Sequence, residues 1–541
     1  MKNYIYFCSI IIAALLLSSC NGKTSPEGTN DSSLSITTRE LSVYEKPPLS
    51  KGTNEATTTE YNLGKKEYMS TSNKIMPYEV RGIIGVPEGQ GPFPLILISH
   101  GSHENEKENL RFDTGFEYLV QHLAENGYIA VSMDMSKPYI WKYGDNDDQE
   151  KSIPVANDHI EGLLNANEGN NGGFPIDLKG KIDPNQIALM GHSRGGETVF
   201  EIAKDQESRG RSIQAILSIA PTYFFEHNWP DADVAILVPE YDGDVISLDG
   251  FITYRSLSKE VNHDYSVTQL MKANHNYFNR KVTRNDASFS LVKNTSVDQL
   301  SREQQESFLM DFATDFYHAS LKGQKEAFIL PSVAQPNTMY DFDVTVMYQT
   351  KKAKRIADAS EINGYSTEGA EIKQSIDSWF YKNDEVLIDT ITSGDGDLMT
   401  RELINVKWEQ SNAVLKFVPS ISDFSEYAGL TINSVIDSAD EINSKDSSQS
   451  FTILLRDTKG NTSSLTLPPN LNALTYSAGN IDSTSLEDLD IFYWSRSTPL
   501  ASINLPLSDF KNIDLTNIES VSFVFDQKNK GSIYIDSVWL N

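Results

Sequence analysis

Residues 191–195 read Gly-His-Ser-Arg-Gly, which fits the Gly-x-Ser-x-Gly pattern around a nucleophilic serine. In that pattern the serine stands on a strained turn between a strand and a helix, and small neighbours allow the close backbone approach. An apolar run at 187–190 precedes the motif, and a helical pattern at 197–204 follows it. The sequence therefore predicts Ser193 as the nucleophile of an acyl-transfer reaction.

Acyl transfer also needs hydrogen-bond donors for the negative charge that develops on the substrate oxygen. One donor is expected from the backbone N–H of Arg194, the residue after the nucleophile. The second should come from the loop after the apolar strand at 93–99, where His-Gly-Ser follows at 100–102. We assign it to the backbone N–H of Ser102, with the residue on either side as alternatives.

Three further histidines lie beside the predicted nucleophile and donor loop in the sequence. His100 and His192 are expected to pack and orient the loops rather than to transfer protons. His103 either lines the site or belongs to the surface, and the sequence does not decide between these two roles.

A carboxylate at the carboxyl end of a later strand can accept the N–H of the catalytic histidine and fix its tautomer. The apolar strand at 234–238 is followed by three acidic residues, Glu240, Asp242 and Asp244. Asp242 is the preferred acid because of its distance from the strand end, with Asp244 and Glu240 as rivals.

Three histidines follow the acid, and the order serine, acid, histidine makes one of them the expected base. His275 lies in a polar loop with an aromatic flank, after a segment that reads as helical. His263 precedes that segment, and His318 belongs to a late amphipathic helix. The sequence therefore predicts His275 as the general base, which completes a triad with Ser193 and Asp242.

The composition limits the partners and the chemistry. The chain has 541 residues, 39% of them hydrophobic, and a formal net charge of -29. Nucleic acid and an anionic membrane face both need a basic footprint, so neither is an expected partner. The predicted chemistry needs no metal and no organic cofactor, and none is expected. The length exceeds that of a single ordinary domain.

The first twenty residues are typical of a bacterial lipoprotein signal. An apolar run at 5–17 is too short for a comfortable membrane span and leads into Leu-Ser-Ser-Cys. This end resembles the lipobox of bacterial lipoproteins, which implies a signal peptide at 1–19 and acylation, with palmitate among the chains, on Cys20. We expect a flexible tether at 20–59 and a location at the cell envelope, anchored to the outer membrane. An ordinary signal peptide with a chance cysteine is the alternative.

Two folded parts are expected beyond the tether. Residues 60–330 alternate between strand and helix patterns, which is typical of α/β proteins with a mostly parallel sheet and helices on both faces. Residues 331–541 lack long helical periodicity and show short strand-like runs separated by Asn, Asp, Gly and Ser. This part is predicted to be an all-β sandwich of the jelly-roll type. Its strand-like runs are 342–348, 413–418, 430–436, 451–456, 521–525 and 533–538.

The first folded part resembles the α/β-hydrolase superfamily over residues 61–330. The segments that carry the resemblance are 91–101, 119–132, 189–197 and 273–276. They are similar in particular to secreted bacterial hydrolases of the platelet-activating-factor acetylhydrolase, chlorophyllase and dienelactone hydrolase groups. The resemblance implies an α/β-hydrolase fold with a Ser-His-Asp triad. Pro239 departs from it by standing where the family has a glycine three residues before the acid, which leaves the choice between Asp242 and Asp244 open.

The C-terminal part resembles galactose-binding-like jelly rolls at residues 512–525 and 531–538. Modules of that kind bind sugars with exposed aromatic rings, so the resemblance implies a carbohydrate contact. The candidate rings are Trp379, Tyr381, Tyr493 and Trp494. Packing inside the sandwich core is the alternative role for these rings, and it is the preferred one.

Together these features predict a serine esterase that hydrolyses carboxylic esters through an acyl-enzyme. The expected substrate is a small-molecule or glycan ester. There are two alternatives: a serine peptidase or amidase with the same triad, and a catalytically inactive surface protein that binds glycans. The motifs specify the catalytic groups but not the acyl and alcohol parts of the substrate.

Overall fold

The structure, a computed structural model, describes residues 39–541 except for a set of short segments. The omitted positions are 51, 53, 145–147, 226, 261–262, 291–297, 335–336, 379–399, 439, 445–446, 476–480, 483–492 and 495–499. The expected signal peptide, Cys20 and the first part of the tether therefore lie outside the described residues. So do Trp379, Tyr381 and the side chains of Tyr493 and Trp494.

The first part of the chain alternates strands with helices. Its strands are β1 (Arg39–Glu40), β2 (Ala56–Met69), β3 (Ile75–Pro87), β4 (Phe93–Ser99), β5 (Ile129–Met133), β6 (Ile182–His192), β7 (Ile213–Ile219), β8 (Asp233–Pro239), β9 (Tyr265–Leu270), β10 (Thr338–Met339) and β11 (Phe342–Gln349). Its helices are α1 (Glu117–Glu125), α2 (Asp148–Asn167), α3 (Arg194–Ser208), α4 (Gly250–Glu260) and α5 (Arg302–Leu321). None of the helices in the described part of the chain is long and apolar enough to cross a membrane.

Ten of these strands form one sheet in the order β10-β11-β9-β8-β7-β6-β4-β5-β3-β2. The six strands from β5 to β9 in this order are parallel, while β3 and β11 pair antiparallel at either side. Apolar clusters cover both faces, one with side chains of α2, α3 and α4, the other with side chains of α1 and α5. This architecture fits the predicted α/β-hydrolase-like fold.

The continuous apolar runs of the sequence follow from this layering. A parallel strand covered by helices on both faces buries every side chain, so it cannot alternate polar and apolar residues. Strands β5 and β7 show this directly, because their residues are buried almost without exception. The carboxyl ends of β4, β6, β8 and β9 lead into the loops that carry the predicted site residues.

The segment before His275, which reads as helical in the sequence, is the strand β9. It pairs in parallel with β8 on one side and antiparallel with β11 on the other. The prediction of a helix was wrong because tertiary pairing with two neighbours, not local preference, decides the state of this segment.

The last part of the chain consists of short strands. They are β12 (Lys354–Asp358), β13 (Tyr365–Glu368), β14 (Ala370–Ser378), β15 (Thr400–Trp408), β16 (Ala413–Phe417), β17 (Gly429–Ile436), β18 (Thr452–Asp457), β19 (Thr462–Thr466), β20 (Ile481–Asp482), β21 (Tyr493–Trp494), β22 (Ala501–Pro506), β23 (Ile518–Phe525) and β24 (Gly531–Leu540). One sheet has the order β1-β19-β18-β23-β16-β13, and a second has β14-β15-β24-β17-β22 with β12 also on β24. Both sheets contribute to one apolar cluster, in which the Trp408 and Phe525 rings stack at 4.1 Å.

The two parts are not divided at residue 331, where the sequence places the boundary. The run at 342–348, expected in the all-β part, is strand β11 of the large sheet, and Val344 pairs with Leu270. Its apolar side chains suit either sheet, so its own sequence does not indicate which one it joins.

Residues 39–59, which the sequence assigns to the flexible tether, take part in the fold at several positions. Arg39 pairs with Leu465 as strand β1 joins β19, and Lys46 lies 2.9 Å from the buried Asp315 carboxylate of α5. Residues 56–59 already belong to β2. The polar composition of 39–59 hides this order, since edge strands and a single buried ion pair need few apolar residues.

Candidate active site

Ser193 stands on a strained turn between β6 and α3. Its φ of 58° and ψ of -127° are rare for a residue with a side chain, and its backbone N–H donates to the carbonyl of Ile219 at 2.9 Å. The flanking glycines permit the turn: a Cβ on Gly191 would lie 2.0 Å from the carbonyl oxygen of Gly195. A Cβ on Gly195 would lie 2.5 Å from the carbonyl oxygens of residues 99 and 100.

Asp242 and His275 are joined by a buried hydrogen bond. His275 Nδ1 lies 2.9 Å from Asp242 Oδ2, and both residues are almost fully buried. The other oxygen, Asp242 Oδ1, accepts the backbone N–H groups of Asp244 and Val245 at 2.9 and 2.7 Å. With both oxygens occupied, the carboxylate is held in one orientation and fixes a proton on His275 Nδ1.

The two rival acids are placed differently. Glu240 Oε2 accepts the backbone N–H of Lys272 at 2.8 Å, which ties the end of β8 to the loop after β9. The Asp244 carboxylate is 56% exposed and lies 3.5 Å from Nε2 of His275, the nitrogen opposite to the one that Asp242 contacts. The structure thus brings Asp242, not its neighbours, to the nitrogen that an orienting acid must hold.

The second ring nitrogen of His275, Nε2, is the one that a catalytic base would use. Nε2 is buried and makes no hydrogen bond with any described residue, Ser193 included. Burial lowers the pKa of His275, but the carboxylates of Asp242 and Asp244 outweigh it and raise the pKa to about 9. Bonds of catalytic groups are often long before substrate binds, so this geometry is compatible with a base for Ser193.

Asp286 is a positioning residue that the sequence did not suggest. Its buried carboxylate accepts three backbone N–H groups: Gly243 at 2.8 Å, His275 at 3.1 Å and Asn276 at 3.0 Å. It therefore fastens the loop of the acid to the loop of the base. Burial raises the pKa of Asp286. No motif marks this residue, because its partners are backbone groups far away in the sequence.

His100 orients the loop that carries the predicted second donor. Met135 donates its backbone N–H to His100 Nε2 at 3.0 Å, so Nδ1 carries the proton and donates to the carbonyl of Gly101 at 2.8 Å. The Gly101–Ser102 peptide is thereby fixed, and its N–H is the predicted donor of Ser102. This loop touches the nucleophile, because a Cβ on Gly101 would lie 2.6 Å from Ser193 Cβ.

His192 orients the base from the other side. Its Nε2 donates to the backbone carbonyl of His275 at 3.0 Å, and the two rings lie 4.7 Å apart. Burial, followed by the neighbouring His275 and His103, lowers the pKa of His192 well below its usual value. A neutral His192 therefore supports the backbone of the base.

The two predicted oxyanion donors lie in different segments, one at the start of α3 and the other in the loop after β4. Arg194 is the first residue of α3, and its guanidinium packs over the exposed Phe224 ring at 4.8 Å. Ser102 Oγ donates to Asn105 Oδ1 at 2.6 Å, which fixes its side chain away from a role in nucleophilic attack. Arg194 directly follows Ser193 in the chain, and the loop of Ser102 approaches the nucleophile at Gly101.

The other downstream histidines are separate from this group. His263 contacts the exposed carboxylate of Asp231 after β7, and His318 packs against Tyr128 at 5.8 Å. Within the described residues, no group of three or more His, Cys, Asp or Glu is arranged to hold a metal ion.

Comparison with known proteins extends this picture. Residues 50–228, which include Ser193, match the model of the chlorophyllase family. A bis(hydroxyethyl) terephthalate hydrolase of Streptomyces coelicolor is 24% identical over 29% of this chain and 42% of its own length. Chlorophyllase-2 of Arabidopsis thaliana is 27% identical over 26% of this chain and 39% of its own length. Esterase EstD of Thermotoga maritima is 27% identical over 31% of this chain and 37% of its own length.

The match is local. The chain spans less than half the length of these curated relatives, and Asp242 and His275 lie beyond the part that matches the family model. The predicted resemblance to chlorophyllases and related hydrolases is confirmed for that part. For that part of the chain, the family match and these relatives support a relationship to esterases of the α/β-hydrolase type.

Proposed function

We propose that this protein is a serine esterase that hydrolyses carboxylic esters through an acyl-enzyme. The observation that carries the proposal is the buried 2.9 Å bond between Asp242 and His275, with Nε2 of His275 making no hydrogen bond to any described residue. Such a histidine has one nitrogen oriented by an acid and the other ready to accept a proton. The strained turn at Ser193 supplies the proposed nucleophile, and the ring of its neighbour His192 lies 4.7 Å from that of His275.

The proposed reaction has two stages. His275 Nε2 takes the proton of Ser193 as Oγ bonds to the carbonyl carbon, and the carbonyl electron pair moves to the oxygen. The backbone N–H groups of Arg194 and Ser102 stabilise that oxyanion. The electron pair on the oxyanion then re-forms the carbonyl, the bond to the alcohol breaks, and the alcohol takes the proton from His275. In the second stage water attacks the acyl-enzyme in the same way and releases the carboxylic acid. Asp242 keeps His275 in the required tautomer throughout.

The proposed substrate is a small-molecule or glycan ester. A cavity of about 720 Å³ lies between the loop of Ser102 and the loop of Asp244, which is large enough for a small ester. The names of the relatives point to different substrates, bis(hydroxyethyl) terephthalate for one and chlorophyll for another, and supply no common acyl or alcohol group. A panel of esters that includes acetylated glycans, assayed beside peptides and amides, separates an esterase from a peptidase or amidase.

Replacement of the nucleophile tests the mechanism. Ser193→Ala should abolish hydrolysis of p-nitrophenyl acetate and labelling by a fluorophosphonate probe, with unchanged circular dichroism. Ser208→Ala, at the exposed far end of the same helix, is the matched control and should keep full activity. Turnover by Ser193→Ala at the wild-type rate would refute the triad, and an unlabelled wild-type protein would instead favour the inactive glycan-binding alternative.

We further propose that the esterase acts at the bacterial cell envelope, held by acyl chains on Cys20. The lipobox-like end of the apolar run supports this location. Growth with an alkyne analogue of palmitate should label the wild-type protein and leave Cys20→Ala unlabelled. Labelling of both proteins to the same extent would refute the anchor without affecting the proposed chemistry.

For the C-terminal part we propose a jelly-roll sandwich that contacts carbohydrate. The two sheets around one apolar cluster support a sandwich. The sugar contact rests only on the resemblance of the last strands, and binding of the full chain to an array of polysaccharides tests it. Binding that disappears on truncation of both Tyr493 and Trp494 would support these rings as the contact.

A further inference from the structure

The loop after β4 places a second histidine, His103, beside the nucleophile. A Cβ on Gly101 would lie 2.6 Å from Ser193 Cβ and 3.1 Å from His103 Cε1, so both side chains flank the same glycine. The His103 ring also packs against Phe112 at 5.0 Å and against His192 at 5.3 Å. These contacts hold the ring in a defined place next to Ser193.

The two ring nitrogens of His103 are unusual because both are buried and neither has a hydrogen-bond partner among the described residues. Buried polar atoms are paired in almost all cases, and exceptions require an explanation. Burial, followed by the neighbouring His100 and His275, lowers the pKa of His103 well below its usual value. The ring is therefore neutral and has one N–H to donate and one lone pair to offer.

The surroundings show where a partner would come from. His103 lines the cavity between the donor loop and the acid loop, together with Ser102, Phe112, Asp244 and Asn276. Part of the His103 side chain thus lines this cavity, while its two unpaired nitrogens are buried behind that surface. A phenylalanine would pack against the same rings equally well, so packing alone does not explain an imidazole here.

We propose that His103 is a further catalytic residue, whose imidazole N–H donates a hydrogen bond to the carbonyl oxygen of the bound ester beside the amides of Arg194 and Ser102. This proposal rests on the proposed esterase function. As Ser193 Oγ bonds to the carbonyl carbon, the carbonyl electron pair moves to the oxygen, and the N–H holds the charge without giving up its proton. When the pair returns, the bond to the alcohol breaks, and the alcohol takes its proton from His275.

The test compares His103→Phe, which keeps the packing, with His103→Gln, which keeps an N–H donor. For p-nitrophenyl acetate, His103→Phe should lower kcat about 10- to 100-fold with little change in KM, because an oxyanion donor acts in the transition state. Phosphorylation of Ser193 by diethyl p-nitrophenyl phosphate should slow in parallel, since its phosphoryl oxygen mimics the oxyanion. His103→Gln should recover part of both losses. His263→Phe, a histidine outside the site, should match the wild-type enzyme.

Wild type and Ser193→Ala are assayed in the same series, with the Tm of every variant. Wild-type rates in His103→Phe would overturn the role of His103 while the loss in Ser193→Ala upholds the esterase. Equal losses of kcat and Tm in His103→Phe and His103→Gln would show a purely structural role and overturn it as well. A wild-type protein that neither turns over esters nor reacts with the phosphate would overturn both proposals.

Discussion

The two halves of the site are positioned by different means. On the nucleophile side, backbone crowding fixes Ser193: the chain approaches itself so closely at Gly191 and Gly195 that no Cβ fits. On the side of the acid and base, buried carboxylates hold the loops in place. Asp242 and Asp286 together accept five backbone N–H groups and one imidazole N–H.

Because the two halves are held by different forces, they should respond differently to substitution. A turn held by steric contact fails when volume is added, whatever the pH. Loops held by hydrogen bonds to carboxylates lose their position when a carboxylate oxygen is replaced by an NH₂ group. A backbone N–H then loses its acceptor. The charges on this side also control the pKa of His275, so this half alone should be sensitive to pH.

The largest effect is expected from Asp242→Asn. The amide cannot hold both the imidazole N–H and the two backbone N–H groups, so His275 loses its tautomer and orientation. We expect kcat for p-nitrophenyl acetate to fall by about 10⁴-fold, as for loss of the acid in other serine triads. Steady-state kinetics with an equal amount of folded protein checks this. A decrease in kcat of less than tenfold would show that another carboxylate acts as the acid.

A smaller but still large effect is expected from Gly195→Ala on the nucleophile side. The added methyl group meets the carbonyl oxygens of residues 99 and 100, so the turn and Ser193 must shift. A displacement of about 1 Å costs roughly 10²-fold in rate, and we expect at least that loss in kcat/KM at every pH. Gly364→Ala, where a Cβ meets nothing within 4 Å, is the control and should behave as wild type.

Asp286→Asn should give an intermediate loss. One or more of the N–H groups of Gly243, His275 and Asn276 would face an NH₂ group, and an unpaired buried donor costs about 1–3 kcal/mol. We expect a lower Tm and a fall of roughly tenfold in kcat/KM through displacement of His275. Asp183 accepts the backbone N–H of Asn185 at the start of β6, away from the site. Asp183→Asn is therefore the matched control and should not change turnover. Equal kcat/KM values for Asp286→Asn and Asp183→Asn would show that Asp286 does not position the site.

The smallest effect is a shift of the pH profile in Asp244→Asn. A pKa near 9 leaves only a minority of His275 neutral at pH 7, so kcat/KM of the wild type should rise with pH up to about pH 9. Asp244 raises that pKa, and its removal lowers it, so the profile should move to lower pH and turnover at pH 7 should increase modestly. The shift is limited because the carboxylate is more than half exposed. A shift to higher pH would contradict the assignment.

The nucleophile side could be predicted from the sequence because steric crowding leaves a glycine signature at fixed spacing. The parallel strands were visible for a similar reason, since burial on both faces produces continuous apolar runs. Asp286 could not be found, because hydrogen bonds to the distant backbone of Gly243 and His275 require no particular residue type there. The state of β9 and the sheet that β11 joins depend on partners far along the chain, which local patterns do not specify.

Strand β11 joins the large sheet of the first part, although it follows residue 331. Strand β1 joins a sheet of the last part, although it precedes the first part in the chain. A fragment that stops at residue 330 would lack β11 and leave the edge of β9 open to pairing with other chains. A fragment that starts at residue 331 would lack β1, which completes the sheet of β19 from the other end of the polypeptide. No single cut yields both parts whole, so a transplanted piece must keep β1 and β11 together with both of the sheets that they join.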